Sequence, residues 1–142
     1  MKYSTKLSDA IHILVFIAIN NNDFLSSQDM AVSIQTNPSY IRQLMSKLKK
    51  ANLIDTTRGA AAPILKLPAD KITLYDIYKA IEGDKPLLHL DTHTNPNCGI
   101  GINIQYSISE AYDKIQQSAE KEMENITLEN IINNYQTKIA NI

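Results

Sequence analysis

The stretch SSQDMAVSIQTNPSYIRQLMSKLKKA, residues 26–51, decides the fold. Ser26 followed three residues later by Asp29 has the form of a capping box, so a short helix starts at Ser26 or Ser27. Met30, Ala31 and Ile34 face inward on it, and small Ala31 permits close helix approach. The turn Gln35-Thr36-Asn37-Pro38 follows. Asn37 is an N-cap, and Pro38 suits the first helical turn because its missing N–H would go unbonded there anyway. The helix it opens runs to about Ala51. Ile41, Leu44, Met45 and Leu48 repeat at helical spacing as a buried stripe. Ser39, Tyr40, Arg42, Gln43, Ser46, Lys47 and Lys50 lie outside that stripe. Two helices joined by a four-residue turn, the second polar and basic on its outer face, form a helix-turn-helix pattern.

Upstream, the spacing of Leu7, Ile11, Leu14, Val15 and Ala18 predicts a first helix over residues 4–20, with that stripe buried and Asn20-Asn21-Asn22-Asp23 stopping it. Downstream, 53–58 and 63–67 read as short strands around Gly59-Ala60-Ala61-Ala62, a hairpin placed as a wing, with Pro63 at a strand start or edge. Thr73 caps a fourth helix from Leu74 to Glu82 that ends at Gly83 and turns Leu74, Ile77, Tyr78 and Ile81 inward. Residues 84–101 form a polar loop. A long amphipathic helix is predicted over 102–125, with Ile104, Ile108, Ala111, Tyr112, Ile115, Ala119, Glu122 and Met123 near the heptad period. Thr127 then caps a last helix from Leu128 to about Ile139. The expected organisation is mainly α: a winged helix-turn-helix domain over 1–83 with a small β-hairpin wing, a loop over 84–101, and C-terminal dimerisation helices over 102–142. So long a helix in so small a chain needs a partner surface, and a second copy supplies one most simply.

Hydrophobic residues make up 44% of the 142 and charged residues 20%, the balance of a globular domain rather than a disordered chain. The longest apolar run, Ile13 to Ile19, is too short to span a bilayer. No membrane role is expected, and a cytoplasmic location is. One cysteine, Cys98, excludes an intrachain disulfide framework. Net charge is only −1, yet residues 35–66 hold six Lys and Arg against Asp55 alone, while 67–142 hold six Lys against eleven acidic residues. The local balance of +5 beside −5 points to one anion-facing surface on a neutral protein.

These residues resemble the Rrf-two family of bacterial winged-helix regulators. The resemblance rests on four segments in family order: Met1 to Lys6 before Asp9-Ala10; Pro38-Ser39-Tyr40-Ile41 with Leu48 and Ala51-Asn52-Leu53-Ile54; Ile72-Thr73-Leu74-Tyr75-Asp76-Ile77 with Ala80-Ile81-Glu82-Gly83; and Ile126-Thr127-Leu128. It implies a homodimeric transcriptional regulator, a repressor, that binds double-stranded DNA at a partly palindromic operator and responds to a redox signal or a small-molecule effector of unknown identity. There are two departures. After Arg58-Gly59 the family's Gly-rich wing tip and aromatic are replaced by Ala60-Ala61-Ala62-Pro63. Cluster-bearing members carry three cysteines before the long helix, whereas this chain has only Cys98, at the place of the last, so it looks like the cluster-lacking branch.

On this reading Ser39, Tyr40, Arg42 and Gln43 meet base edges, where Arg pairs with guanine and Gln with adenine through two hydrogen bonds. Ser46, Lys47 and Lys50 lie further along, with the lysines toward phosphates, and Arg58 of the wing reaches a minor groove. Lys49 reads as a solvated lysine and His12 as a packing or surface residue. Cys98, in a polar loop before a helix, is a candidate redox sensor. Asp9, His89 and His93 are the remaining candidate ligands, but one cysteine cannot supply a Cys-rich iron–sulfur set, so neither metal nor cofactor is expected. No phosphate loop, nucleophile elbow or helical metal pair marks an enzyme, and no catalytic residue is assigned. The alternative is a winged-helix module that binds protein without reading DNA.

Overall fold

The computed structural model describes residues 4–20, 25–56 and 62–141. In chain order these form α1 (Lys6–Ile19), α2 (Ser27–Ile34), α3 (Pro38–Lys50), β1 (Ile54–Asp55), β2 (Ile64–Leu65), a 3-10 turn (Ala69–Lys71), α4 (Leu74–Glu82), α5 (Gly99–Glu124) and α6 (Leu128–Ala140). The architecture is the expected mainly α winged helix-turn-helix with a long helix after it.

Capping fixes where the helices begin. Ser26 Oγ accepts the Asp29 N–H and the Asp29 carboxylate accepts the Ser26 N–H, so α2 opens with a reciprocal box. The Ser26 N–H holds the Asp29 carboxyl below its usual range. Asn37 Oδ1 accepts the Tyr40 N–H at 2.8 Å to open α3. Thr73 with Asp76 and Thr127 with Asn130 repeat the box at α4 and α6.

The turn between α2 and α3 is a Schellman closure. Thr36 N–H reaches Ala31 O at 2.9 Å and Gln35 N–H reaches Val32 O at 3.3 Å, with Gln35 left-handed at φ 61°. The same pattern ends α3: Leu53 N–H bonds Leu48 O at 3.0 Å, Asn52 N–H bonds Lys49 O at 3.0 Å, and Asn52 takes φ 61°.

Three sequence expectations are corrected. The fully buried face of α1 is Ala10, Ile13, Leu14 and Ile17, while Leu7, Ile11, Val15 and Ala18 are only half-buried. This helix is apolar around most of its circumference, so spacing alone does not select the face that meets the core. The long helix begins at Gly99 rather than Ile102, with Cys98 as its N-cap. Gly-Ile-Gly has weak helix propensity, and the cap overrides it. The described strand pairing is two residues long, Ile54 opposite Leu65 and Asp55 opposite Ile64, shorter than the predicted strands. The wing tip, with Arg58, lies outside the described residues, as do Met1 to Tyr3 and Asn21 to Phe24.

One core joins α1, α2, α3, α4 and the start of α6. Leu74 N–H donates to Ile126 O and Leu128 N–H to Ile72 O, both at 2.8 Å, so the Thr-capped starts of α4 and α6 lie side by side. Leu128 is wholly buried there, a contribution of about 1.5–3 kcal/mol. By contrast, α5 has no buried residue along its 26, and it leaves Ile100, Ile102, Ile104, Tyr106 and Ile115 exposed.

Candidate nucleic-acid interface

Helix α3 divides into two faces. Ile41, Leu44 and Leu48 are at most 2% exposed and enter the core. Ser39, Arg42, Gln43, Ser46, Lys47, Lys49 and Lys50 are all exposed. Among the described residues, the side chains of Arg42, Gln43, Ser46 and Lys50 have no hydrogen bond or ion pair, so their donors are free for an external partner. A cleft of about 420 Å³ runs between the N-terminus of α2, the outer side of α3 and the entry to the wing, and is lined by Ser26, Ser27, Arg42, Ser46, Lys49 and Thr56.

Three side chains on α3 are committed within the protein. Tyr40 Oη donates to Asp9 Oδ2 at 2.8 Å, tying the start of α3 to α1. Burial, the Asp9 carboxylate that accepts this bond, and the more distant charge of Glu82 push the Tyr40 phenol up to about 12. Lys47 Nζ donates to Ile81 O at 3.4 Å, near the C-terminus of α4. Lys49 Nζ donates to Thr56 O at 3.3 Å, binding α3 to the strand leading into the wing, so it is not merely solvated. Helical spacing gives no signal for these ties, because Asp9 and Ile81 are distant in sequence and Thr56 lies beyond the end of α3. Arg58 lies outside the described residues.

The other sequence candidates are dispersed. Asp9 is engaged by Tyr40, while His89, His93 and Cys98 are exposed on the segment before α5. Cys98 Sγ accepts the Gly101 N–H at 3.4 Å, and a Cβ at Gly101 would stand 3.0 Å from Asn95 O, so the turn into α5 is tight. His12 Nε2 lies 2.9 Å from Ser33 Oγ, and its ring stacks on Phe16. These two helices and α6 border a second cleft of about 830 Å³. No helix among the described residues is long and apolar enough to cross a membrane.

Comparison with known proteins gives a consistent result. The Rrf2 family model, described as iron-dependent transcriptional regulator, matches residues 3–134. YwnA of Bacillus subtilis, named as an HTH-type transcriptional regulator, is 31% identical over 130 residues, which span 92% of this chain and 96% of YwnA. A crystal structure named for DNA binding is 30% identical, covers 89% of this chain and 98% of its own, and superposes with a TM-score of 0.72. CymR, the global cysteine regulator of B. subtilis, shares the fold at 23% identity and a TM-score of 0.67, over 94% of this chain and 97% of CymR.

The iron in the family's description does not fit the residues present. The chain has one cysteine, and among the described residues no three His, Cys, Asp or Glu side chains gather where they would hold a metal. The fold and the matched relatives are those of regulators, not enzymes. With the Rrf2 model matching residues 3–134 of the 142, the chain belongs to the Rrf2 family of winged-helix transcriptional regulators.

Proposed function

We propose that this DNA-binding transcriptional regulator acts as a homodimeric cytoplasmic repressor that presents two α3 helices to adjacent major grooves of a partly palindromic operator. The observation that carries the reading is the unshared donor face of Arg42, Gln43, Ser46 and Lys50 opposite the buried stripe of α3. Ser39, Arg42 and Gln43 lie in the N-terminal half of α3, the part of a recognition helix that reaches base edges. Ser46 and Lys50 follow toward the phosphates, Lys47 joins them by giving up its bond to Ile81 O, and Arg58 completes the contact from the wing. Tyr40 takes part by holding α3 against α1. Dimerisation is supported by the exposed apolar side of α5. The signal reaches the dimer through the segment before α5, where Cys98 is exposed to oxidants, or through a small-molecule effector.

The test is a salt series of gel shifts on selected duplexes. Arg42→Ala should cost about 1–3 kcal/mol and relax preference at one base pair. Lys50→Ala should weaken all sequences alike and lower the salt slope by about one. If Arg42→Glu with Gln43→Glu leaves duplex affinity unchanged, the proposal fails.

A further inference from the structure

The junction between α4 and α5 combines partial packing, with Ile108, Tyr112, Ala119 and Met123 half-buried on α5, and direct polar ties. No residue of α5 is buried, and the side it turns to the rest of the chain includes Gln105, Gln116 and Glu120 among its half-buried residues. Apolar burial sets separation well but direction poorly, whereas hydrogen bonds fix direction. Gln116 makes two of them. Its Nε2 donates to Tyr78 Oη at 3.1 Å, and its Oε1 accepts the Leu87 N–H at 2.9 Å. Tyr78 is 2% exposed on α4, and its hydroxyl donates in turn to Lys85 O at 2.8 Å. One amide therefore clasps α4, the chain that leaves it and the long helix together. The tie extends toward α3, because Lys47 Nζ donates to Ile81 O, one turn beyond Tyr78 on α4.

We infer that Gln116, through Tyr78, is a positioning residue that fixes the angle between the long helix and the helix-turn-helix, and so sets which operator half-site spacing the dimer accepts. The inference rests on the dimeric reading above. Neither residue lies on the outer face of α3, so each acts on spacing and not on base identity. A second tie runs alongside: Lys79 Nζ stands 3.7 Å from Glu120, with both side chains partly exposed. It tolerates small shifts, as a flexible ammonium and carboxylate do. The amide clasp, with a buried hydroxyl at its centre, is the directional member.

The experiment uses the full-length chain and palindromic duplexes built from its own selected half-site, with the central spacer varied one base pair at a time. Gln116→Met keeps side-chain length and removes both bonds. Tyr78→Phe removes only the hydroxyl and serves if the first variant is poorly folded. Affinity for a single half-site should stay within about twofold of the parent, because α3 is untouched. Affinity for the preferred spacing should fall about tenfold, the scale of one or two net hydrogen bonds, while neighbouring spacings become comparably bound. A spacer profile with the parent's optimum and width in both variants overturns the inference. If the parent itself binds paired half-sites no better than single ones, the dimeric reading fails with it, an outcome separate from any change in the variants.

Discussion

Tyr40 lies in the first turn of α3 and looks in sequence like a side chain offered to DNA, yet its hydroxyl is spent on Asp9. That single bond joins the recognition helix to α1 and makes Asp9 a structural partner of the reading surface. Loss of the proton from Tyr40 would place a phenolate beside a carboxylate, in a partly buried setting with Glu82 also near. The folded chain therefore binds the Tyr40 proton more tightly than the unfolded chain does. The stability linked to this proton, set by burial first and by the Asp9 carboxylate second, is complete below the unfolded value of about 10 and is lost as pH rises toward the folded value of about 12. Ultraviolet titration should show a tyrosine component that ionises above the usual range, and Tyr40→Phe should remove that component. If the phenylalanine variant keeps the late component, that component belongs to another tyrosine and the raised phenol is not Tyr40.

At the scale of elements, the legible features were local and the illegible ones were long-range. Asn37, Thr73 and Thr127 marked helix starts that the structure keeps, since a cap is a contact between residues three apart. The stripe of α3 was legible because its outer face is polar and leaves one inner side. The stripe of α1 was not, because neighbouring apolar rows compete and only contact with other elements chooses between them. At the candidate interface, the outer residues of α3 could be read from spacing, while the ties from Tyr40, Lys47 and Lys49 depend on residues brought close only by folding. Left-handed Gln35 shows a local cost the sequence does not announce. A side chain at φ 61° is strained where glycine is not, and Gln35 is exposed, so little packing is lost on its removal. Gln35→Gly should raise stability by about 0.5–1 kcal/mol in urea unfolding, less than the full strain because glycine also frees the unfolded chain. A decrease would mean that the glutamine side chain contributes more to the turn than its backbone strain costs.

The whole molecule has one core and one long projection. The helix-turn-helix, the base of the wing, α4 and the start of α6 share buried side chains, so the surface around α3 is carried on a rigid body. Helix α5 leaves that body with Ile104 42% exposed and Ile115 49% exposed, on a helix with no fully buried position. Eleven residues apart, these two isoleucines fall on one side of a helix, at three turns of 3.6 residues. If a second copy covers that side, charge placed there opposes association without touching the core. Ile104→Lys with Ile115→Lys should leave helix content and the unfolding midpoint of the isolated fold nearly unchanged. It should also convert the protein to monomer in sedimentation, and drop affinity for a paired operator to that of a single half-site. The two readouts must move together, since joint presentation of two α3 helices is what joins two modest contacts into one tight one. A variant that stays dimeric would place the association surface elsewhere on the molecule. One that becomes monomeric yet binds the paired operator as before would separate dimerisation from DNA reading altogether.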